Sequence, residues 1–318
     1  MKLKPLQIKN LKPVIPIIQG GMAVRVSTGA LAGAVAKCGA VGTIGGSGMQ
    51  LDELRKEIAI AREISEGKGW IAVNIMVAAT NFIPYVEVCL EEKIDLLICG
   101  AGFSKDVFRM AKAANVAFAP VVSAPKAAQL ALRMGADMII VEGKEAGGHL
   151  GTDRPMKEAV KEVIDVIQGQ VPVIAAGGVL YGKDICDVVK MGAAGVQMAT
   201  RFILSDECTV DMKFKKYLLN HKEEDMRIFL SPVGYPGRAI LTKLLDDVES
   251  GRTGKFPCKY QCLKHCNHRF CIIEALENAR EGNVDAGIVF TGERFTEIKD
   301  ILPVKTIIEK LLREVEAC

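Results

Sequence analysis

Four histidines stand in the chain, and only His149 falls in a run shaped for chemistry, Glu142-Gly143-Lys144-Glu145-Ala146-Gly147-Gly148-His149-Leu150-Gly151. His221 lies in a charged helical stretch, and His265 and His268 lie among cysteines. Imidazole titrates near neutrality, so it suits taking or giving a proton at carbon. Gly147, Gly148 and Gly151 leave the backbone bare enough for a flat ligand to approach. The structural alternative is a loop histidine hydrogen-bonded to solvent. A second cluster is Ala176-Gly177-Gly178 with Gln197-Met198-Ala199-Thr200. Bare glycine N–H groups and the Thr200 hydroxyl can hold a phosphate, although Gly177-Gly178 alone also reads as a tight turn. No lysine follows as in a P-loop, so a nucleoside triphosphate is not indicated. Gly42-Thr43-Ile44-Gly45-Gly46-Ser47-Gly48 departs from G-x-G-x-x-G and reads as a turn.

These residues must be positioned by the elements around them. Continuous aliphatic runs alternate with helical spacing: Val14–Ile18, Ala40–Ile44, Trp70–Ile75, Asp95–Cys99, Val116–Ala119, Asp137–Val141, Pro172–Ala175 and Ala194–Met198. Continuous rather than alternating apolar runs mark strands buried on both faces, as in a parallel sheet covered by helices. Eight of them in about 200 residues predict an α/β fold, a (β/α)8 TIM barrel, over an open doubly wound sheet. In such a barrel the working groups sit at the C-terminal ends of strands. That selects Gln19, Gly20, Gly21 and Met22 after the first run, Asn74 in the third, Glu142 to Gly151 after the sixth, and the two glycine and Gln-Met-Ala-Thr segments after the seventh and eighth. After Phe202 the texture becomes charged, and Ser231–Arg238 reads as a loop. Residues 205–299 are therefore expected to form a small, mostly helical cap, with 1–204 and 300–318 forming the barrel.

Composition bounds the function. The 318 residues are 49% hydrophobic and 25% charged with a formal net charge of +3, which argues against a dedicated nucleic-acid or membrane-surface binder. Aromatics at 5% disfavour a single-strand stacking platform. No run approaches the roughly 20 apolar residues of a membrane span, and the N-terminus lacks the apolar core of a signal peptide. A cytoplasmic protein is expected, and its ten cysteines are then expected to be thiols or metal ligands rather than a disulfide framework.

Cys258, Cys262, Cys266 and Cys271 crowd into one segment with His265 and His268. Zinc or an iron–sulfur cluster would suit such soft ligands, but C-x3-C-x3-C-x4-C matches no standard spacing. On one straight helix Cys258 and Cys266 would lie about 12 Å apart, whereas four sulfurs around one ion lie within roughly 4 Å of each other. A metal site thus requires the helix to break, near Pro257 or Asn267. The alternative is a thiol-lined helix face.

Taken together, Pro16–Met22, Asn74, Glu142-Gly143 with Glu145-Ala146-Gly147-Gly148-His149, Ala176-Gly177-Gly178 and Gln197–Phe202 resemble the nitronate monooxygenase (2-nitropropane dioxygenase) family, which includes flavin-dependent enoyl-acyl-carrier-protein reductases. The resemblance covers about residues 14–240 and extends to Pro236-Gly237-Arg238-Ala239-Ile240, with Tyr235 where the family usually has Met. It implies non-covalent FMN, with Gln19, Gly20, Gly21 and Met22 at the flavin ring, Asn74 on its pyrimidine edge, and Glu142 near the ribityl chain. Gly177, Gly178, Gln197, Met198 and Thr200 would hold ribityl and phosphate, and Gly147, Gly148, Ala176 and Ala199 would also belong to the cofactor site. It implies His149 as the catalytic acid/base. Two activities follow: oxidation of nitroalkanes or nitronates with O2, or NAD(P)H-driven reduction of an enoyl thioester, carried by acyl carrier protein. A homodimer is compatible with either. A reading from another class is an electron-transfer or regulatory module whose working site is the cysteine segment.

Overall fold

The structure is a computed structural model, and it describes residues 1–102, 104–254 and 258–318. The strands in chain order are β1 (Ile17–Gln19), β2 (Val41–Gly45), β3 (Trp70–Met76), β4 (Leu96–Gly100), β5 (Ala117–Val122), β6 (Ile139–Glu142), β7 (Gly148–His149), β8 (Val173–Ala176), β9 (Gly195–Met198), β10 (Met226–Leu230), β11 (Pro236–Ile240) and β12 (Val289–Phe290). The helices are α1 (Gly29–Lys37), α2 (Leu51–Ser65), α3 (Phe82–Glu91), α4 (Lys105–Ala113), α5 (Pro125–Met134), α6 (Met156–Ile167), α7 (Gly182–Lys190), α8 (Thr200–Ile203), α9 (Met212–Asn220), α10 (Lys243–Glu249), α11 (Ile272–Arg280) and α12 (Val304–Glu316).

Strands β1 to β6, β8 and β9 form a closed parallel barrel, sealed where Ile17, Ile18 and Gln19 pair with Val196, Gln197 and Met198. This is the expected (β/α)8 architecture. One apolar cluster fills the barrel: Ile18, Val41, Ala72, Ile98, Ala119, Ile140 and Ile174 point inward. Below them the N-terminal segment, turned back by the Leu6–Val14 bridge, plugs the bottom, and Trp70 Nε1 donates to Lys12 O at 2.9 Å. A second cluster lies between strands and helices. There Leu31, Val35, Leu54 and Ile58 are fully buried, and truncating Leu31, Leu54 or Ile58 to alanine would cost about 2–5 kcal/mol. Helix starts follow local chemistry: Gln50 and Glu53 form a capping box on α2, and Ser104 Oγ accepts from Asp106 N on α4. The plugged bottom leaves the C-terminal mouth as the open end.

The cap covers that mouth. Its helices α9, α10 and α11 are joined by a feature the sequence did not disclose, an antiparallel sheet β10–β11–β12. The Ser231–Arg238 segment, read as a loop, instead turns at Ser231–Tyr235 and continues as β11. β11 also pairs with β7, Gly237 opposite His149 and Arg238 opposite Gly148, so the cap is stitched to the barrel loop that carries His149. Cys186 on α7 is disulfide-bonded to Cys318, one bridge where thiols or metal ligands were expected, while the other eight cysteines are free. No helix among the described residues is long and apolar enough to cross a membrane.

Candidate active site

A cavity of about 730 Å³ opens at the barrel mouth beneath the cap. Gly20, Gly21, Met22, Asn74, Glu142, Gly147, Gly148, His149, Gln197, Ala199 and Thr200 line it. It runs into a cleft of about 60 Å³ lined by Ala176, Gly177, Gly178 and Met198 together with Glu142, Gly147, Gln197, Ala199 and Thr200. The residues singled out at strand ends thus meet in one place, with one exception. Gln19 is fully buried behind the wall: its amide nitrogen donates to Ser27 Oγ at 2.9 Å and to Gly20 O, and its oxygen accepts from Thr43 N at 3.0 Å. With both ends satisfied, Gln19 braces the loop after β1 instead of touching a ligand, a correction to its expected place at the ring.

The wall presents unmet hydrogen-bonding capacity. Asn74 Nδ2 donates to Gly21 O at 3.1 Å, while Asn74 Oδ1 and Gln197 Oε1 are buried without a partner among the described residues. Buried acceptors left alone cost roughly 1–3 kcal/mol each, so both call for donors from a ligand. A heteroaromatic ring bearing N–H and a polyhydroxylated chain supply these donors. In the cleft Gly177 and Gly178 adopt φ of 99° and 74°, and a Cβ on Gly178 would lie 3.0 Å from Glu145 Cβ. The cradle is therefore open only because these positions lack side chains. Thr200 Oγ1 accepts from Gly292 N at 2.9 Å, leaving its own proton for a ligand. These features fit a flavin nucleotide with its phosphate at the β8 and β9 ends.

His149 lines the cavity, and its Nε2 lies 2.7 Å from Ser231 Oγ, in the turn between β10 and β11. Its ring meets Phe290 edge-on at 5.1 Å. Burial pushes the imidazole down to about 4, so it is neutral at physiological pH. Ser231 Oγ also accepts from Val233 N at 3.4 Å. With Nε2 carrying the proton toward that oxygen, Nδ1 keeps the free lone pair; this tautomer is assigned from the hydrogen bonds. Ser231→Ala removes the bond that selects it, and turnover should fall about 5- to 10-fold, as loss of one hydrogen bond of about 1 kcal/mol predicts. Ser231→Thr should restore the rate, which steady-state kinetics with pH profiles will show.

Glu142 ends β6 facing the same cavity, and burial alone lifts its carboxyl from 4.5 to about 7. Between those values the folded chain holds a proton that the unfolded chain has released, so stability falls as pH rises through the window. Glu142→Gln should therefore stabilise the flavin-free protein above pH 7 by up to about 3 kcal/mol, and leave it unchanged below about pH 4. Thermal melts at pH 4 and pH 8 test this.

Sequence reasoning missed what closes the site from the C-terminal side. The backbone of Thr291 and Gly292 packs on Gly147, where a Cβ would lie 2.5 Å from Thr291 C. Arg294 Nη1 donates to Gly178 O at 2.6 Å and pairs with Asp184 at 2.9 Å. Ser231 was equally invisible. It stands 82 residues from His149, and only the cap sheet brings the two together. Among the described residues, no three His, Cys, Asp or Glu side chains are arranged to share one metal ion. This corrects the expectation of a single-ion zinc site at Cys258, Cys262, Cys266 and Cys271. The thiol-lined helix face also fails, because α11 starts only at Ile272. Pro257, expected to help break such a helix, lies outside the described residues.

Known proteins bear on this geometry. The family model for nitronate monooxygenase matches residues 4–85 and 65–314. A Mycobacterium tuberculosis protein, (3aS,4S,5R,7aS)-5-hydroxy-7a-methyl-1-oxo-octahydro-1H-indene-4-carboxyl-CoA dehydrogenase, is 27% identical over 93% of this chain and 92% of its own. A probable nitronate monooxygenase of Staphylococcus aureus is 27% identical over 73% of this chain and 77% of its own. The structure of FabK from Thermotoga maritima superposes with a TM-score of 0.84 at 32% identity, covering 95% of this chain and 93% of that one. The chain with this barrel, cap and cavity is an oxidoreductase that belongs to the nitronate monooxygenase family.

Proposed function

We propose that the chain is an FMN-dependent oxidoreductase that oxidises nitroalkanes or their nitronates, with His149 accepting the α-proton. The observation that carries this reading is the neutral, cavity-lining imidazole held by Ser231. At physiological pH its Nδ1 lone pair is free to accept a proton, while its one N–H is engaged by Ser231. A nitroalkane C–H gives its proton to His149, and the nitronate keeps the electron pair. FMN, when bound, supplies the electron transfer from that carbon to dioxygen. The protein orients both partners: Asn74 and Gln197 offer acceptors, Gly177 and Gly178 admit the phosphate, and the cap excludes water.

A second reading, reduction of an enoyl thioester with NAD(P)H, is supported by room. The cavity's outer wall is apolar, with Met49, Leu51, Leu263, Ile272, Ile273 and Leu276, more than a short nitroalkane needs. The Mycobacterium tuberculosis relative is named for a CoA ester. One experiment separates the two. FMN-loaded protein is mixed without oxygen with nitroethane, with ethyl nitronate, or with NAD(P)H followed by a crotonyl thioester. Bleaching by the nitro compounds and reoxidation by air support the first reading. Bleaching by NAD(P)H alone, with recolouring by the thioester, overturns it in favour of the second.

A further inference from the structure

The bridge between Cys186 and Cys318 takes no part in the chemistry above. It spans 132 residues of chain and joins α7 to the end of α12. α7 begins where the wall of the cleft ends: Gly177, Gly178, Val179 and Leu180 line the cleft, and Gly182 opens the helix. Asp184, in its first turn, gathers this wall. Its Oδ2 accepts from Leu180 N at 2.9 Å and Tyr181 N at 3.0 Å, and its Oδ1 accepts from Arg294 Nη1 at 2.9 Å. The same Arg294 nitrogen donates to Gly178 O at 2.6 Å. What fixes the first turn of α7 therefore also fixes the wall of the phosphate cleft.

α12 supplies that fixing. Gly182 and Cys186 stand four residues apart on α7, and Glu314 and Cys318 four apart at the end of α12, so each pair lies on one side of its helix. The two sides meet in two rungs. Glu314 Oε2 accepts from Gly182 N at 2.7 Å, and the sulfurs of Cys186 and Cys318 are bonded. The first rung is a close fit: a Cβ on Gly182 would lie 2.4 Å from Glu314 Cβ and 2.7 Å from Leu311 O. Ile307, Ile308 and Leu311 are buried, so the body of α12 stays packed without the bridge. Toward α7 its last turn is tied by the two rungs, and a helix end freed of a tie frays. Cys186 is buried and Cys318 is exposed, so a thiolate from solvent reaches the bridge at Cys318 Sγ.

Resting on the flavin reading above, we propose that the Cys186–Cys318 bridge is a redox switch on the phosphate cleft. Closed, it holds α7 and the cleft wall in the form that takes the FMN phosphate. Opening it removes one rung, the end of α12 frays, Gly182 N loses Glu314, and the wall loosens. The co-reactant is a low-molecular-weight thiol–disulfide couple of the glutathione class. One thiolate of that couple attacks Cys318 Sγ, the bridge breaks, and Cys186 leaves as a thiolate that takes a proton from water. A second thiolate attacks the small-molecule sulfur of the mixed disulfide, the small molecule departs as its own disulfide, and the Cys318 thiolate takes a proton. The chain thus gains two electrons and two protons that the couple loses, and oxidation runs the same steps backward. In a reducing compartment, bridges of this kind are usually transient or redox-sensing.

The test equilibrates the full chain with oxidised or with reduced glutathione and follows the bridge by peptide mass spectrometry without further reduction. FMN affinity is read from quenching of flavin fluorescence, alongside thermal melts. The linked peptides should be present in the oxidised sample and lost in the reduced one. Opening should weaken FMN binding about 5-fold, as loss of one hydrogen bond predicts, and lower the melting temperature by at least about 5 °C. Cys318→Ser keeps every other cysteine, and it should match the reduced wild type and ignore glutathione. Linked peptides that never form, or equal FMN affinity in the two states of the wild type, overturn the switch. If neither state binds FMN, the flavin reading fails by itself, and amide hydrogen exchange across 177–184 decides the switch. Faster exchange on reduction upholds it, and unchanged exchange overturns it.

Discussion

His149→Ala is expected to lower turnover of a nitroalkane about 10²- to 10⁴-fold, the range that a positioned acid/base supplies, and to leave oxidation of the preformed nitronate within a few-fold of wild type. The asymmetry follows from the chemistry assigned to the ring. A nitroalkane must lose its α-proton before electrons can leave carbon, whereas the nitronate has already lost it. Truncation should not collapse the site, because His149 enters the cap sheet through its backbone, opposite Gly237. FMN content and melting temperature should thus stay close to wild type. Equal losses on both substrates would mean that the ring positions substrate and does not take the proton. No loss on either would remove His149 from the reaction.

The barrel was legible because each of its strands is buried on both faces, and burial writes itself as a continuous aliphatic run. Trp70–Ile75 and Asp95–Cys99 need no partner to be recognised, and helices such as α2 carry both the period and the caps. The cap sheet was not legible for the opposite reason. In β10 only Phe229 is fully buried, while Ile228 and Leu230 are exposed, so the pattern carries no inward apolar stripe. β12 is two residues long. Their order comes from pairing with distant strands, which local sequence does not encode. The site shows the same division. Gly177, Gly178, Asn74 and Gln197 could be placed because strand ends define the mouth of a barrel. Gln19 sits at a strand end too, but its alternation turns it into the wall, where Thr43 and Ser27 claim its amide. Ser231 and Thr291 approach from a chain segment whose path the barrel pattern does not constrain.

Arg238→Met is expected to cost about 10²-fold in turnover without touching the cavity wall. Arg238 is buried, and among the described residues no carboxylate pairs with it. Its guanidinium serves the loop before His149 instead: Nε donates to Ala146 O at 3.1 Å and Nη2 to Lys144 O at 2.7 Å, while the neighbouring main chain pairs with Gly148. Methionine fills the space and leaves both carbonyls without donors, at roughly 1–3 kcal/mol each. The cheapest relief is for the loop to lift toward water, which carries the imidazole away from its 2.7 Å contact with Ser231. A displacement of about 1 Å at a catalytic group is enough for a loss of this size. Faster amide hydrogen exchange across 144–149, with the barrel strands unchanged, should accompany the kinetic loss. Arg238→Lys keeps the charge but has one donor head in place of a planar fork, so it should fall between Met and wild type. If the Met variant keeps both rate and protection, β7–β11 pairing alone holds the loop, and the guanidinium matters only for packing.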